Sequence, residues 1–118
     1  MRARVEGETR ALSVGTDLAA FRILQESLTN VVRHSGATTV TVTLTYRPEE
    51  LAVEVVDDGR VQPGNGARSG NGSSGGSGIA GMRERATALG GELAAGRRLD
   101  GGFRVVARLP LPSERRDA

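Results

Sequence analysis

Cysteine, lysine and tryptophan are all missing from this 118-residue chain, histidine occurs once, and aromatic side chains make up only 3% of it. Each absence excludes a class of chemistry. Without cysteine there is no disulfide framework and no thiolate-ligated zinc or iron–sulfur centre. A single histidine cannot build a multi-histidine metal site. Without lysine there is no Walker A loop, whose lysine reaches the β- and γ-phosphates, and no Schiff-base nucleophile. So few aromatics offer little for bases to stack on. The pI of 10.3 does not reverse that expectation, because the net charge is only +2 and all 16 basic side chains are arginine. Arginine keeps its proton above about pH 12, so a small excess persists to high pH. No nucleic-acid partner is expected. No apolar run approaches the roughly 18 residues of a membrane helix, and nothing after Met1-Arg2-Ala3-Arg4 reads as a secretory signal. No membrane contact is expected of this chain. What is present is 37% hydrophobic and 25% charged residues, the balance of one small globular domain.

The pattern along the chain predicts α and β elements in mixture. Arg2–Glu6 reads as an edge strand followed by Gly7. A helix is predicted over 17–35, with Asp17 as N-cap, Leu18, Phe21, Leu24, Leu28, Val31 and Val32 at helical spacing, and Gly36 as terminator. From Thr39 to Tyr46 apolar residues alternate with threonine, and Leu51–Val56 forms a second apolar run beyond Arg47-Pro48-Glu49-Glu50. The two predict an antiparallel hairpin. Residues 61–78 are mostly glycine, serine and asparagine, and are expected to form a long loop. Loops of more than about 12–15 residues inside a domain are usually functional or disordered. Ile79, Met82, Ala86 and Leu89 mark a shorter helix, stopped by Gly90-Gly91. Strands near Glu92–Ala95 and Phe103–Leu109 follow, and residues 113–118 form a charged tail.

Three constellations carry chemistry. On the first helix Arg22, Glu26, Asn30 and Arg33 share a stripe. A solvated face is the competing reading, but asparagine is a poor helix-interior residue. Glu26 and Asn30 lie one turn apart and can converge on a hard cation such as Mg²⁺, which takes oxygen ligands. At the end of the second hairpin strand, parity turns Asp57 inward with Leu51, Val53 and Val55. A buried carboxylate needs donors, and an adenine amino group is one candidate. Gly59 permits close approach of a ligand, although Asp-Gly is also a common turn pair. The third, Gly76-Ser77-Gly78-Ile79-Ala80-Gly81, stands at a loop-to-helix junction, where exposed N–H groups favour an anion. It is no dinucleotide fingerprint, because a long loop precedes it.

Taken in this order, the three resemble the motifs of the Bergerat-type ATPases, the superfamily of gyrase B and the sensor histidine kinases. Glu26-Ser27-Leu28-Thr29-Asn30-Val31-Val32-Arg33-His34 is similar to the N box, Asp57-Asp58-Gly59 to the adenine-binding box, and Gly76–Gly81 to the end of the ATP lid. Arg33-His34-Ser35-Gly36-Ala37 and Gly81-Met82-Arg83-Glu84-Arg85 resemble the histidine kinases that partner helix-turn-helix response regulators. The resemblance implies an α/β two-layer sandwich, with a mixed, mainly antiparallel sheet and helices on one face. It implies an ATP-binding catalytic domain over 1–112, a lid over 61–78, and ATP with Mg²⁺ as ligands. By position Glu26 would orient or polarise the attacking group and Asn30 would hold Mg²⁺. Asp57 would accept from adenine, Gly59 would line the base pocket, and Gly76, Gly78 and Gly81 would let the lid backbone approach the phosphates. Arg33 and His34 would lie near ribose or phosphate. Arg83 and Arg85 are expected as outward partners of Glu84 or Glu92. The second glycine usual after Gly59 is Val61 here, and Gly101-Gly102-Phe103 offers no hydroxyl where many relatives carry Gly-Thr.

The only histidine lies inside the N box, so the phosphoacceptor is expected on a separate dimerisation domain, with a response regulator further downstream. The chain is then expected to bind ATP, not to autophosphorylate alone, and to lie in the cytoplasm, free or as the cytoplasmic part of a membrane-bound sensor. An anti-sigma-factor-type serine kinase and a non-catalytic nucleotide-binding module are the alternatives on the same fold.

Overall fold

The computed structural model describes residues 1–34, 39–59, 73–99 and 101–112, with the backbone alone for 33, 34 and 73–77. Five strands form one sheet in the order β1-β2-β3-β5-β4. They are β1 (Arg2–Gly7), β2 (Val40–Tyr46), β3 (Glu50–Asp57), β4 (Glu92–Arg97) and β5 (Phe103–Pro110). Only the edge pair β1–β2 is parallel; the remaining three pairings are antiparallel. The hairpin forms as its alternation predicts, with Val42 opposite Val55 and Leu44 opposite Val53. Its turn is closed by Arg47 N–H donating to the Glu50 carbonyl at 2.9 Å and by an Arg47–Glu50 ion pair at 2.8 Å.

Among the described residues two helices, α1 (Val14–His34) and α2 (Ser73–Ala88), lie on one face of the sheet. The core is the layer between them and that face. Ile23 of α1 and Met82 and Ala86 of α2 meet Leu51, Val53 and Val55 of β3, Val105, Ala107 and Leu109 of β5, and Leu93 of β4. Fully burying a side chain such as Ile23, Leu51 or Leu109 contributes about 1.5–3 kcal/mol. On the opposite face the strands present polar residues, tied by Arg104–Glu54 at 2.6 Å and Arg108–Glu92 at 3.5 Å. The sandwich is therefore the two-layer, mainly antiparallel arrangement expected. Among the described residues no helix is long and apolar enough to cross a membrane.

Several expectations need correction. Helix α1 begins at Val14, not after Asp17. Ser13 is its cap, its Oγ accepting from Thr16 N–H at 3.2 Å, and Asp17 lies in the first turn, where a negative charge suits the helix dipole. Leu18 and Phe21 are exposed; the fully buried residues of α1 are Thr16, Ala19, Ala20, Ile23 and Ser27, and Leu24 and Leu28, predicted for the apolar face, pack half-buried against the same core. Small residues there let the helix sit close to the strands. Helix α2 begins at Ser73, so residues 73–78 are helical and not part of a loop. The rest of the expected loop, 61–72, and the tail at 113–118 lie outside the described residues. Glu92 pairs with Arg108, while Arg83 Nε donates to the Leu93 carbonyl at 3.4 Å.

Candidate functional site

The two helices run antiparallel. Gly15 of α1 faces Leu89 just beyond α2, Ser27 Oγ donates to Met82 Sδ at 3.4 Å, and Gly78 of α2 faces Glu26 and Asn30. The last contact is tight. A Cβ added at Gly78 would stand 2.6 Å from Glu26 Oε2 and 3.7 Å from Asn30 Nδ2. Glycine at 78 thus lets the α2 backbone come up against the polar face of α1. Glu26 and Asn30 are half-buried there, which sets them apart from a freely solvated stripe. Arg22 of the same stripe is exposed.

Glu26 and Asn30 share an end of the sandwich with Asp57. Helix α1 ends at His34, and five residues later Thr39 N–H donates to Asp58 Oδ1 at 3.0 Å, while Asp58 N–H donates to the Thr39 carbonyl at 3.1 Å. The next residue, Val40, pairs with Asp57. The C-terminal part of α1 and the end of β3 are thereby held together by a short connection and a two-bond clamp.

Asp57 is only 3% exposed, as strand parity predicts. Its Oδ1 accepts from Gly59 N–H at 2.8 Å, a local side-chain-to-backbone bond that fixes the carboxylate and shapes the chain's exit from β3. Oδ2 has no donor among the described residues. No fully buried side-chain oxygen or nitrogen among them lacks a partner, so Oδ2 keeps an opening to the outside. A carboxylate that is almost wholly enclosed, half satisfied internally and half open suits recognition of a neutral donor group, because burial favours a hydrogen-bonded partner over water. Gly59 beside it is buried.

The glycines divide differently from the sequence expectation. Gly76 falls in the first turn of α2, where N–H groups have no partner within the helix. Gly78 and Gly81 fall deeper, where their N–H groups are used within the helix. Gly78 serves a close approach to Glu26, and around Gly81 a Cβ would meet nothing within 4 Å. For Arg33 and His34 the structure fixes a position in the last turn of α1 and no more.

Three residues escape the sequence reading. Ser27 is buried and ties α1 to α2 through Met82; a serine among apolar residues on a core-facing stripe was its signal. Asp58 clamps Thr39 although it is exposed. Gly102 has φ +90° and packs on the carbonyl of Asp57 so closely that a Cβ would collide with that oxygen. The paired glycines before β5 were its signal.

Residues 15–113 match the family described as histidine kinase-, DNA gyrase B-, and HSP90-like ATPase, and the chain belongs to that family. Within it the chain's relatives include sensor histidine kinases. It is 37% identical over 81 residues to the sensor histidine kinase LiaS of Bacillus subtilis, covering 69% of this chain and 21% of that protein. It is also 37% identical over 101 residues to the signal transduction histidine-protein kinase/phosphatase UhpB of Salmonella typhimurium, covering 85% of this chain and 18% of that one. The histidine kinase domain of the Erythrobacter litoralis EL346 blue-light activated histidine kinase superposes with a TM-score of 0.64 at 28% identity, over 93% of this chain and 51% of that chain. The chain therefore spans about a fifth of the length of the curated relatives it matches.

Proposed function

We propose that this domain binds ATP with Mg²⁺ and donates the γ-phosphoryl group to a histidine on a separate dimerisation domain, in a kinase of the kind that signals through helix-turn-helix response regulators on the cytoplasmic side. The observation that carries the reading is the convergence at one end of the sandwich. There a half-open carboxylate on β3 lies with an acid–amide pair on α1 that the glycine-bearing α2 approaches closely.

In this reading Asp57 Oδ2 accepts from the adenine amino group while Oδ1 stays on Gly59, and Gly59 lines the base pocket. Asn30 Oδ1 and the Glu26 carboxylate are hard oxygen donors of the kind Mg²⁺ takes. Among the described residues no three acidic or histidine side chains gather as a metal cage. A cation there would be held by one or two protein oxygens and completed by phosphate oxygens. When bound, Mg²⁺ neutralises phosphate charge. Glu26 orients the attacking group, and the proximity of Gly78 fixes where its carboxylate stands. Gly76 offers a free backbone N–H to the phosphates, and Arg33 and His34 lie toward ribose or phosphate. Gly78 and Gly81 act through backbone approach and not as N–H donors. Domain 1–112 with a lid ending at the start of α2, and a tail beyond 112, complete the proposal.

The test is transfer of label from γ-labelled ATP to a supplied histidine-bearing dimerisation domain, with the chain alone as control. Label on the acceptor histidine and none on the chain supports the reading. Mg²⁺-dependent ATP binding without transfer to any histidine-bearing acceptor would instead make this a nucleotide-binding module.

A further inference from the structure

Strand β4 forms one edge of the sheet and pairs with β5 alone. Arg98 N–H donates to the Gly102 carbonyl at 3.0 Å, and the register carries that pairing back to Gly96 opposite Arg104 and Ala94 opposite Val106. In an antiparallel ladder alternate residues turn their backbone groups to the partner strand. Leu93, Ala95 and Arg97 therefore turn theirs to the open side. The Leu93 carbonyl is met there by Arg83 Nε at 3.4 Å. Beyond it, the outward N–H and C=O groups of Ala95 and Arg97 have no partner among the described residues. Edges of natural sheets are blunted by charge, proline or a bulge. The opposite edge follows that rule: Arg2, Arg4 and Glu6 charge every second residue of β1. The middle of β4, Ala94-Ala95-Gly96, carries no charge.

Gly96 is a second, independent sign. Its φ is not positive, and a Cβ added there would meet nothing within 4 Å. Neither backbone conformation nor packing within the described residues requires a glycine. At Gly91 and Gly102, by contrast, a Cβ would collide with a backbone carbonyl. Glycine inside a strand weakens it, and marks places where a ligand or another backbone approaches closely.

The surroundings specify what approaches. Gly96 lies in the floor of an open cleft of about 280 Å³, on the face of the sheet away from the helices. Ala94 and Val106 complete the floor, and Arg97, Arg98 and Arg104 line the rest. No acidic side chain among the described residues lines it. Arg97 and Arg98 are exposed, and Arg104, anchored through Nε to Glu54 at 2.6 Å, is still half exposed. Guanidinium forks match carboxylates in a bidentate fashion.

We propose that β4 is a docking edge for an extended acidic segment of a partner protein, which adds to the sheet as a further strand. Its backbone pairs with Ala95 and Arg97, one of its side chains lies over Gly96, and its carboxylates meet Arg97, Arg98 and Arg104. Backbone pairing supplies affinity and the flanking side chains supply selectivity, as in strand addition generally. Arg97 pairs with Phe103, and Phe103 with Asp57, so the segment docks level with Asp57 and two strands away from it. The proposal stands on the sheet edge alone and does not rest on phosphoryl transfer.

Amide exchange followed by NMR tests it, with a short capped peptide of alternating glutamate and valine as probe. In the free domain the amides of Ala95 and Arg97 are expected to exchange fast, and those of Ala94 and Gly96 slowly. The probe is expected to slow Ala95 and Arg97. A lysine–valine peptide, and a glutamate–valine peptide N-methylated at each residue, are expected to leave them fast. Ala95→Pro removes an outward N–H at an edge position that tolerates proline, and Gly96→Val fills the cleft without a clash. Both are expected to abolish binding while the thermal melt stays at that of the parent or above. Arg97→Glu combined with Arg98→Glu should weaken binding about tenfold or more. Slow exchange of Ala95 and Arg97 in the free domain would overturn the proposal, as would fast exchange at every probe concentration. Equal protection by the lysine peptide would overturn the acidic assignment, and undiminished binding to a folded Gly96→Val domain would overturn the site. Should Ala95→Pro fail to fold, Gly96→Val and the N-methylated peptide decide the same question.

Discussion

Replacing Gly78 by alanine separates folding from function at the candidate site. Two terms act on stability in opposite directions. Alanine is favoured over glycine inside a helix by about 0.8–1 kcal/mol, and position 78 lies inside α2 with no positive φ. Against this, the new Cβ would stand 2.6 Å from Glu26 Oε2, closer than van der Waals contact allows. The atom that must yield is the tip of a half-buried, flexible side chain and not backbone. Moving Glu26 off its preferred rotamer costs about 0.5–1.5 kcal/mol. The sum leaves Gly78→Ala within about 1 kcal/mol of the parent in a urea or thermal melt. The carboxylate nonetheless moves, and misplacing a catalytic group by about 1 Å can reduce a rate about a hundredfold. The expected outcome is a domain as stable as the parent that transfers phosphate to a supplied acceptor about 10- to 100-fold more slowly. Loss of more than about 2 kcal/mol of stability would show that the contact is rigid. An unchanged transfer rate would show that Glu26 is not at the chemistry.

Other substitutions probe the same frame. Gly102→Ala forces a positive φ on a side-chain-bearing residue and drives a Cβ into the Asp57 carbonyl. Denaturant titration should show a loss of about 1–3 kcal/mol or more, and a change below about 0.5 kcal/mol would refute the close approach. Asn30→Ala should abolish the Mg²⁺ dependence of ATP binding while the melt is unchanged; titrations that still respond to Mg²⁺ as the parent does would remove Asn30 from the metal. Ile23→Ala, at a side chain with no exposure, should cost about 2–5 kcal/mol, and a loss under about 1 kcal/mol would place the core elsewhere.

The strands were legible in the sequence because their period of two is hard to mimic. The threonine-alternating run of β2, the inward parity of Asp57 and the shared face of Val105, Ala107 and Leu109 all appear as the pattern predicts. Helix α1 was legible as a helix but only partly in its orientation: Leu24 and Leu28 pack against the core as their spacing predicts, whereas Leu18, Phe21 and Val32 do not. Apolar residues occupy both sides of it, and the large ones at 18 and 21 face outward while alanines at 19 and 20 meet the sheet. Periodicity cannot choose between two apolar stripes; close packing on strands chooses the smaller one. The start of α2 was illegible for a different reason. Ser73–Gly78 has almost no helix propensity, and contact with Glu26 and Asn30 is a tertiary term that no local pattern encodes. Motif order picked out the residues proposed for the site, whereas the contacts of Ser27, Asp58 and Gly102 depend on neighbours distant in sequence.

If the enclosed carboxylate of β3 recognises the nucleotide base, calorimetric titration of Asp57→Asn with ATP·Mg²⁺ will register its loss. Asparagine keeps an oxygen to accept the Gly59 N–H, so the fold is expected to survive, as a thermal melt beside the titration would verify. The charge and the second acceptor are lost. A hydrogen bond to a charged group is worth about 1.5–3 kcal/mol, so affinity should fall about 10- to 100-fold. A folded Asp57→Asn domain that binds ATP as tightly as the parent would take Asp57 out of base recognition.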